Sequence, residues 1–208
     1  MKLTKDKKVW IPDGDNWWWR DGYERKQFLN AMKYVSNRKT ALDIGAHVGI
    51  WSKRLAELFN VVIAFEPVPE HVECWNENVK KYNASLQEVA LSNKAGKVNM
   101  KVTGHNSGMS TLEYYAKRIR TSKEISVETK TLDSYHLGIV DFMKIDVEGH
   151  EMKMLEGAMT TIQRHSPIIF IEIHKKEKTK SINAYAFLIG LGYQEVANLG
   201  SSNYLFSK

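Results

Sequence analysis

The 208-residue sequence holds one cysteine, Cys74. A single thiol cannot close an intrachain disulfide, so no cystine framework is expected, and a reducing cytoplasm fits. No apolar run approaches the roughly 20 residues of a membrane-spanning helix. The opening MKLTKDKKVW is charged and lacks the apolar centre of a secretion signal. There is no internal repeat and no low-complexity linker. Hydrophobic residues make up 43% and charged residues 26%, near the globular average, which excludes wholesale disorder. The length suits one domain, or one domain with a short extension.

Charge is present in slight positive excess, +6 from 30 Lys and Arg against 24 Asp and Glu. The excess is clustered. Residues 1–40 carry ten basic against five acidic side chains, and further clusters lie at Lys117, Arg118, Arg120 and Lys123 and at Lys175, Lys176, Lys178 and Lys180. Such patches attract anionic substrates or nucleic acid, or simply solvate a surface.

Composition separates two zones. Residues 1–36 are aromatic and charged, with Trp17, Trp18 and Trp19 following a turn-like Pro-Asp-Gly-Asp, and read as an N-terminal extension or cap. From residue 37 to 208, short apolar runs alternate with longer mixed segments. Strands are expected at 40–44, 61–65, 86–91, 98–102, 125–129, 140–145, 167–173, 193–197 and 204–206. Helices are expected over 49–59, 69–82, 151–164 and 181–191, the last with Ser181 as N-cap and Gly192 just past its end. Strand–helix alternation with continuously apolar strands predicts an α/β fold. Its mostly parallel, doubly wound sheet is covered by helices on both faces. In such sheets ligands bind beyond the carboxyl ends of the strands, where strand order reverses.

The strand ends are where polar residues gather. After 40–44 comes DIGAHVG, in which Gly45 permits a sharp turn and Gly49 a close strand–helix approach. The spacing is G-x-x-x-G, not the three-glycine dinucleotide fingerprint, and suits an amino-acid tail better than a pyrophosphate. Asp43 is placed to hold an ammonium group directly or through water. Glu66, ending the next strand, can accept two hydrogen bonds from a ribose diol. Around Ala90 and Leu91 small apolar residues face the position of a nucleobase. The fourth strand end, KIDVEGHE, is the densest polar cluster: Asp146 lies beside the reactive end of a ligand, with Glu148 nearby, while His150 is expected to point outward. Glu172 and His174 share a face of the fifth strand, and His174 titrates near neutrality. Asp146, Glu148 and His174 lack a fixed metal-ligand spacing, so no metal is expected. The polar loop at 104–110 can wrap a ligand.

At these residues the chain resembles the FkbM family of S-adenosylmethionine-dependent methyltransferases. The matching segments are ALDIGAHVGIWSKRLAE, VIAFEPVPE, VALSNKAGKV and KIDVEGHEMKMLEGA, in the family's order over residues 20–175, with KIDVEGHE the most specific. The resemblance implies a class I methyltransferase-like, seven-stranded sheet with the last strand antiparallel. It implies S-adenosyl-L-methionine as cofactor and S-adenosyl-L-homocysteine as product. Asp43, Gly45, Ala46, His47 and Gly49 would form the methionine-binding loop, although the family often has Asn where this chain has His47. Glu66 would hold the ribose, and Pro67, Ala90 and Leu91 would flank adenine. Asp146 would line the junction of cofactor and acceptor, Ser110 would touch the cofactor, and Tyr23 or Glu24 would reach its methionine end. Family members typically methylate hydroxyls of sugars or natural products.

The expected activity is therefore O-methylation of a sugar, glycan or other small-molecule acceptor, with Asp146, Glu148 and His174 as catalytic candidates. A nucleic-acid methyltransferase is the first alternative. It is disfavoured because the fourth strand lacks the Asn/Asp-Pro-Pro-aromatic element that base amino-group methylation calls for. A nicotinamide-dependent oxidoreductase is disfavoured by the glycine spacing. A non-catalytic adenosine-binding or interaction module is the remaining alternative.

Overall fold

A computed structural model describes residues 1–4, 8–15, 22–103, 122–174 and 183–208. Trp17, Trp18 and Trp19, the 104–110 loop with Ser110, the basic residues at 117–120 and 175–180, and Ser181 lie outside the described residues.

The strands in chain order are β1 (Lys2–Leu3), β2 (Trp10–Ile11), β3 (Thr40–Ile44), β4 (Val61–Phe65), β5 (Ala84–Gln87), β6 (Ala90–Leu91), β7 (Gly96–Thr103), β8 (Ser122–Lys130), β9 (Phe142–Ile145), β10 (Ile168–Glu172), β11 (Gln194–Gly200) and β12 (Asn203–Ser207). The described α-helices are α1 (Arg25–Ala31), α2 (Ile50–Ala56), α3 (Pro69–Val79), α4 (Glu151–Glu156), α5 (Met159–His165) and α6 (Ala184–Gly190). None is long and apolar enough to cross a membrane.

Seven strands form one sheet in the order β11-β12-β10-β9-β3-β4-β5. From β10 to β5 every pair is parallel, and only β12 runs against its neighbours β10 and β11. This is the mostly parallel sheet expected, with the antiparallel strand last in sequence. Alternation along the strands feeds two cores. Leu42, Ile44, Met143, Ile145, Ile169 and Ile171 meet Met154 and Leu155 of α4, Ile162 of α5 and Leu188 of α6. Their neighbours Ala41, Val62, Phe142 and Phe170 meet Phe28 of α1 and Trp51 and Leu55 of α2. The first 36 residues thus supply Phe28, Ala31, Met32 and Val35 to the second core.

Two expected elements divide. The run at 86–91 splits, its first part (β5) joining the main sheet and its last two residues (β6) pairing with β8 in a separate three-stranded sheet, β6-β8-β7. The helix expected over 151–164 breaks at Gly157, where a Cβ would lie 2.0 Å from the Ser92 carbonyl oxygen. At α6 the N-cap is Asn183, whose Oδ1 accepts from the Ala186 N–H at 2.8 Å, and Gly192 follows the helix at φ +88°.

The β1/β2 hairpin packs beside α3. Asn78 clasps the Trp10 backbone, accepting from its N–H at 2.7 Å and donating to its carbonyl at 2.9 Å. The same amide donates to the Val48 carbonyl at 2.7 Å, tying the hairpin to the loop after β3.

Candidate active site

The chain leaves β3 in one direction to β4 and β5, then returns to β9 and β10 on the other side. Strand order therefore reverses between β3 and β9, the position where a ligand crevice forms. A cleft of about 890 Å³, counted out to its open mouth, lies there. Gly45, Ala46, His47 and Val48 from the loop after β3 line it, with Glu66 and Pro67 after β4, Ala90 and Leu91 of β6, and Asp146, Glu148 and His150 after β9. Of the residues expected at the site, Gly45, Ala46, His47, Glu66, Pro67, Ala90, Leu91, Asp146 and Glu148 meet in this one cleft, and Tyr23 joins them.

Asp43, Gly49 and His174 do not line it. Asp43 is fully buried behind the loop, where Ser52 Oγ donates to its Oδ2 at 2.5 Å. The Trp75 indole N–H donates in turn to Ser52 Oγ at 2.8 Å. Gly49 (φ +88°) lets α2 approach α3, since a Cβ there would lie 2.7 Å from both Trp75 and Val79. Gly45 (φ +75°) serves the cleft itself: a Cβ would sit 1.8 Å from the Asp146 carbonyl oxygen, so the loop lies directly against the end of β9.

Lys144 joins these two strand ends and was not singled out by the motif reading. Register places it opposite Asp43. Its buried ammonium donates to the Gly45 carbonyl at 2.7 Å and lies 3.6 Å from Asp43 Oδ1 and 3.5 Å from Asp146 Oδ2, three acceptors for three protons. Burial alone would lower its pKa, but the charges of Asp146, Asp43 and Glu24 raise it above the ordinary lysine value. Burial pushes the Asp43 carboxyl up, opposed by Lys144 and Ser52.

At the end of β4, Glu66 is 4% exposed and anchored by both oxygens. Oε1 accepts from the Val68 N–H at 3.0 Å and faces His71 Nδ1 at 3.0 Å, and Oε2 accepts from the His47 N–H at 2.9 Å. Burial raises its pKa, but the His71 ring and these three hydrogen bonds outweigh that and hold it below the usual carboxylate range. The His47 ring packs against His71 with centroids 4.2 Å apart, and burial drives the His47 pKa well below its ordinary value, so this imidazole is neutral. His71 was also missed from sequence. It sits on α3 one turn from Trp75 and two from Val79, on the buried face.

The far side of the cleft is apolar, with Phe65, Val89, Ala90, Leu91 and Met100 in its wall. His150, expected to point outward, is 6% exposed and turned inward, with Nε2 2.9 Å from Ser92 Oγ. Glu148 (φ +52°) and Gly149 (φ +97°) are both left-handed and reverse the chain just before it. The Glu151 carboxylate closes that turn, accepting from the Val147 and Gly149 N–H groups at 3.3 and 3.1 Å.

At the other end carboxylates converge. Oxygens of Asp146, Glu148 and Glu172 lie within 4.8 Å of one another. His174 Nε2 is 3.9 Å from both Glu148 and Glu172, outside the cleft wall but against its acids. Burial and the neighbouring charges of Asp146 and Glu148 push the Glu172 pKa up to about 10, and burial also raises Glu148, against the pull of His174. Glu172 therefore keeps its proton at neutral pH. Above this end of the cleft stand Tyr23 and Glu24. Glu24 accepts from the Trp51 indole at 2.8 Å and from Asn203 Nδ2 at 2.9 Å, and Arg54 donates to the Tyr23 carbonyl at 2.5 Å.

The fold has known counterparts. A methyltransferase FkbM from Methylobacillus flagellatus KT superposes with a TM-score of 0.59 at 15% identity, over 82% of this chain and 44% of that one. The chain thus spans less than half the length of that protein. A ribosomal protein L11 methylase from Lactobacillus delbrueckii subsp. bulgaricus superposes at 0.54 with 12% identity, over 88% and 76% of the two chains. A precorrin-6y C5,15-methyltransferase from Geobacter metallireducens GS-15 does so at 0.54 with 14% identity, over 99% and 96%. These likenesses establish the class I methyltransferase fold. No curated protein matches the chain. The model of the methyltransferase FkbM domain matches residues 43–195, from the buried Asp43 through every motif that lines the cleft after it. With most of its 208 residues inside that match, the chain belongs to the FkbM methyltransferase family, whose cofactor is S-adenosyl-L-methionine.

Proposed function

We propose that this chain moves a methyl group from S-adenosyl-L-methionine to a hydroxyl of a sugar, glycan or other small acceptor, with S-adenosyl-L-homocysteine as the second product. The observation that carries the reading is the division of one cleft into three chemistries. There is an apolar wall at Ala90 and Leu91, a hydrogen-bonded carboxylate at Glu66, and a cluster of carboxyl groups at Asp146 and Glu148, backed by Glu172. The cleft suits an adenine ring against the apolar wall, a ribose at Glu66, and a cationic centre with its amino-acid tail between Gly45 and Asp146.

When bound, the cofactor supplies an electrophilic methyl carbon on a positively charged sulfur. The protein's part is to orient, desolvate and take a proton. Gly45, Ala46 and His47 hold the tail from the loop after β3, while Asp43, Gly49 and Lys144 fix that loop from behind. Asp146 is steered by Lys144 at 3.5 Å and orients the acceptor hydroxyl. The acceptor hydroxyl would give up its proton to Asp146 as it takes the methyl group. Glu148 and His174, with Glu172, hold and relay protons beside it. The hairpin and Tyr23 act as a cap: the hairpin is tied to Val48 through Asn78, and Tyr23 closes the acidic end.

The test is Asp146→Asn, with turnover on a sugar or glycan acceptor and binding of S-adenosyl-L-homocysteine measured separately. Turnover should fall by roughly 10²–10⁴ with binding retained. Unchanged turnover removes Asp146 from the chemistry. Failure of the wild type to bind the product would leave a non-catalytic module as the reading.

A further inference from the structure

A carboxylate that is to meet an acceptor hydroxyl must hold one orientation. The torsion that turns the carboxyl plane is soft, and a single contact leaves it free to swing. Lys144 gives Asp146 one contact, 3.5 Å from Oδ2, and is shared with Asp43 and the Gly45 carbonyl. A second contact comes from the neighbouring strand. β9 and β10 run parallel with Ile145 opposite Ile171, so the next residues, Asp146 and Glu172, leave the sheet side by side. One oxygen each from Asp146, Glu148 and Glu172 converge within 4.8 Å. Among the described residues, Glu172 is also faced by Tyr23 and Glu24 ahead of α1 and by His174 at 3.9 Å, and it pairs with Asn203 of β12. Burial and the charges of Asp146 and Glu148 hold the proton on Glu172, and a hydrogen bond to Asp146 adds to them. Since Glu172 carries the proton, it donates and Asp146 accepts.

We infer that Glu172 is a positioning residue for methyl transfer: its carboxyl O–H and the Lys144 ammonium together fix the plane of the Asp146 carboxylate that receives the acceptor proton. The inference rests on the proposed reaction and gives that reaction an alkaline limit. When Glu172 ionises, at about pH 10, a donor turns into a like charge and Asp146 is driven out of line.

The experiment follows kcat between about pH 7 and 10.5, at saturating S-adenosyl-L-methionine and a sugar or glycan acceptor, in wild type, Glu172→Leu and Glu172→Gln. Binding of S-adenosyl-L-homocysteine is measured alongside by calorimetry. Glu172→Leu fills the space without a donor, so kcat near neutrality should fall at least about tenfold while product affinity stays within about twofold. Glu172→Gln supplies an N–H that cannot ionise. It should regain most of that loss and should lack the alkaline fall that wild type shows toward pH 10. Wild-type turnover in Glu172→Leu, or the same alkaline limb in Glu172→Gln as in wild type, would overturn the inference. If no acceptor supports turnover, or Glu172→Leu does not fold, the ¹³C resonance of the Glu172 carboxyl decides, titrated in wild type and Asp146→Asn. The Glu172 ionisation constant should rise at least about tenfold once the Asp146 charge is gone, and identical titrations overturn the inference. A wild type that binds no S-adenosyl-L-homocysteine would sink the cofactor site and this inference with it.

Discussion

Replacing Lys144 with Met keeps much of the side-chain volume and removes the charge that joins the two strand ends. Lys144 is 3% exposed and Asp43 0%. Without the ammonium, Asp43 keeps the Ser52 hydroxyl as its side-chain donor among the described residues, and the Gly45 carbonyl loses the Lys144 ammonium. Stranding one member of a buried ion pair costs about 3–5 kcal/mol. At about 2–4 °C per kcal/mol for a domain of this size, the melting midpoint should fall by roughly 6–20 °C. The pH dependence has a definite sign. The Lys144 pKa is raised, so its stabilisation is complete below the unfolded value near 10.4 and is lost only as pH rises through the higher folded value. In Lys144→Met the Asp43 pKa climbs further, so the mutant is least handicapped near pH 4, where this carboxyl can stay protonated. The gap in midpoint should therefore widen as pH rises above about 4. Thermal unfolding by circular dichroism, repeated for Asp43→Asn and for the double mutant, reads both effects. The double mutant should lose less than the sum of the singles. A Lys144→Met midpoint within about 2 °C of wild type, or strict additivity, would refute the compensation argument.

Two further outcomes follow from the same geometry. Gly45→Ala places a methyl group 1.8 Å from the Asp146 carbonyl oxygen at φ +75°, so it should cost at least about 2 kcal/mol in urea titration and weaken product binding more than tenfold; normal values of both would mean that the loop does not lie against β9. Glu172 has its pKa raised to about 10, so its ionisation costs the folded state progressively as pH climbs from the unfolded value near 4.3 toward that point. Glu172→Gln should gain stability over wild type across that window, on the order of 1–2 kcal/mol given its 22% exposed side chain, and parallel melting curves against pH would show the carboxyl ionising normally.

The main sheet was legible where hydrophobic pattern and burial coincide. β4 is a continuous apolar run and β3 is apolar but for Thr40 and Asp43, and they appear at 61–65 and 40–44 as read. The divisions at 86–91 and 151–164 were not legible, because both depend on long-range approach. Ala90 and Leu91 turn toward a second sheet, and Gly157 packs against the Ser92 carbonyl just after β6. At the site, the motif residues at strand ends were readable because glycine and carboxylates there have few other uses. Lys144 and His71 escaped notice because each sits inside an element. The available signals were a lone lysine in Phe-Met-Lys-Ile, a strand otherwise apolar, and a histidine in helical phase with Trp75 and Val79. Inward His150 required the left-handed pair before it, which sequence alone did not specify.

The antiparallel strand β12 occupies the slot between β10 and β11, and its Asn203 reaches Glu24 beside the cleft. A strand that follows both of its neighbours in the chain is thus wedged between them and latched to a residue 179 positions earlier. Until it arrives, β10 presents an unpaired edge and β11 has nothing to pair with, a state prone to self-association. Contacts of such sequence separation form slowly, so completion of the sheet and closure around the acidic end of the cleft are one late event. A nascent chain stalled before Asn203 would hold every cofactor motif and still lack the latch that sets Glu24 in place.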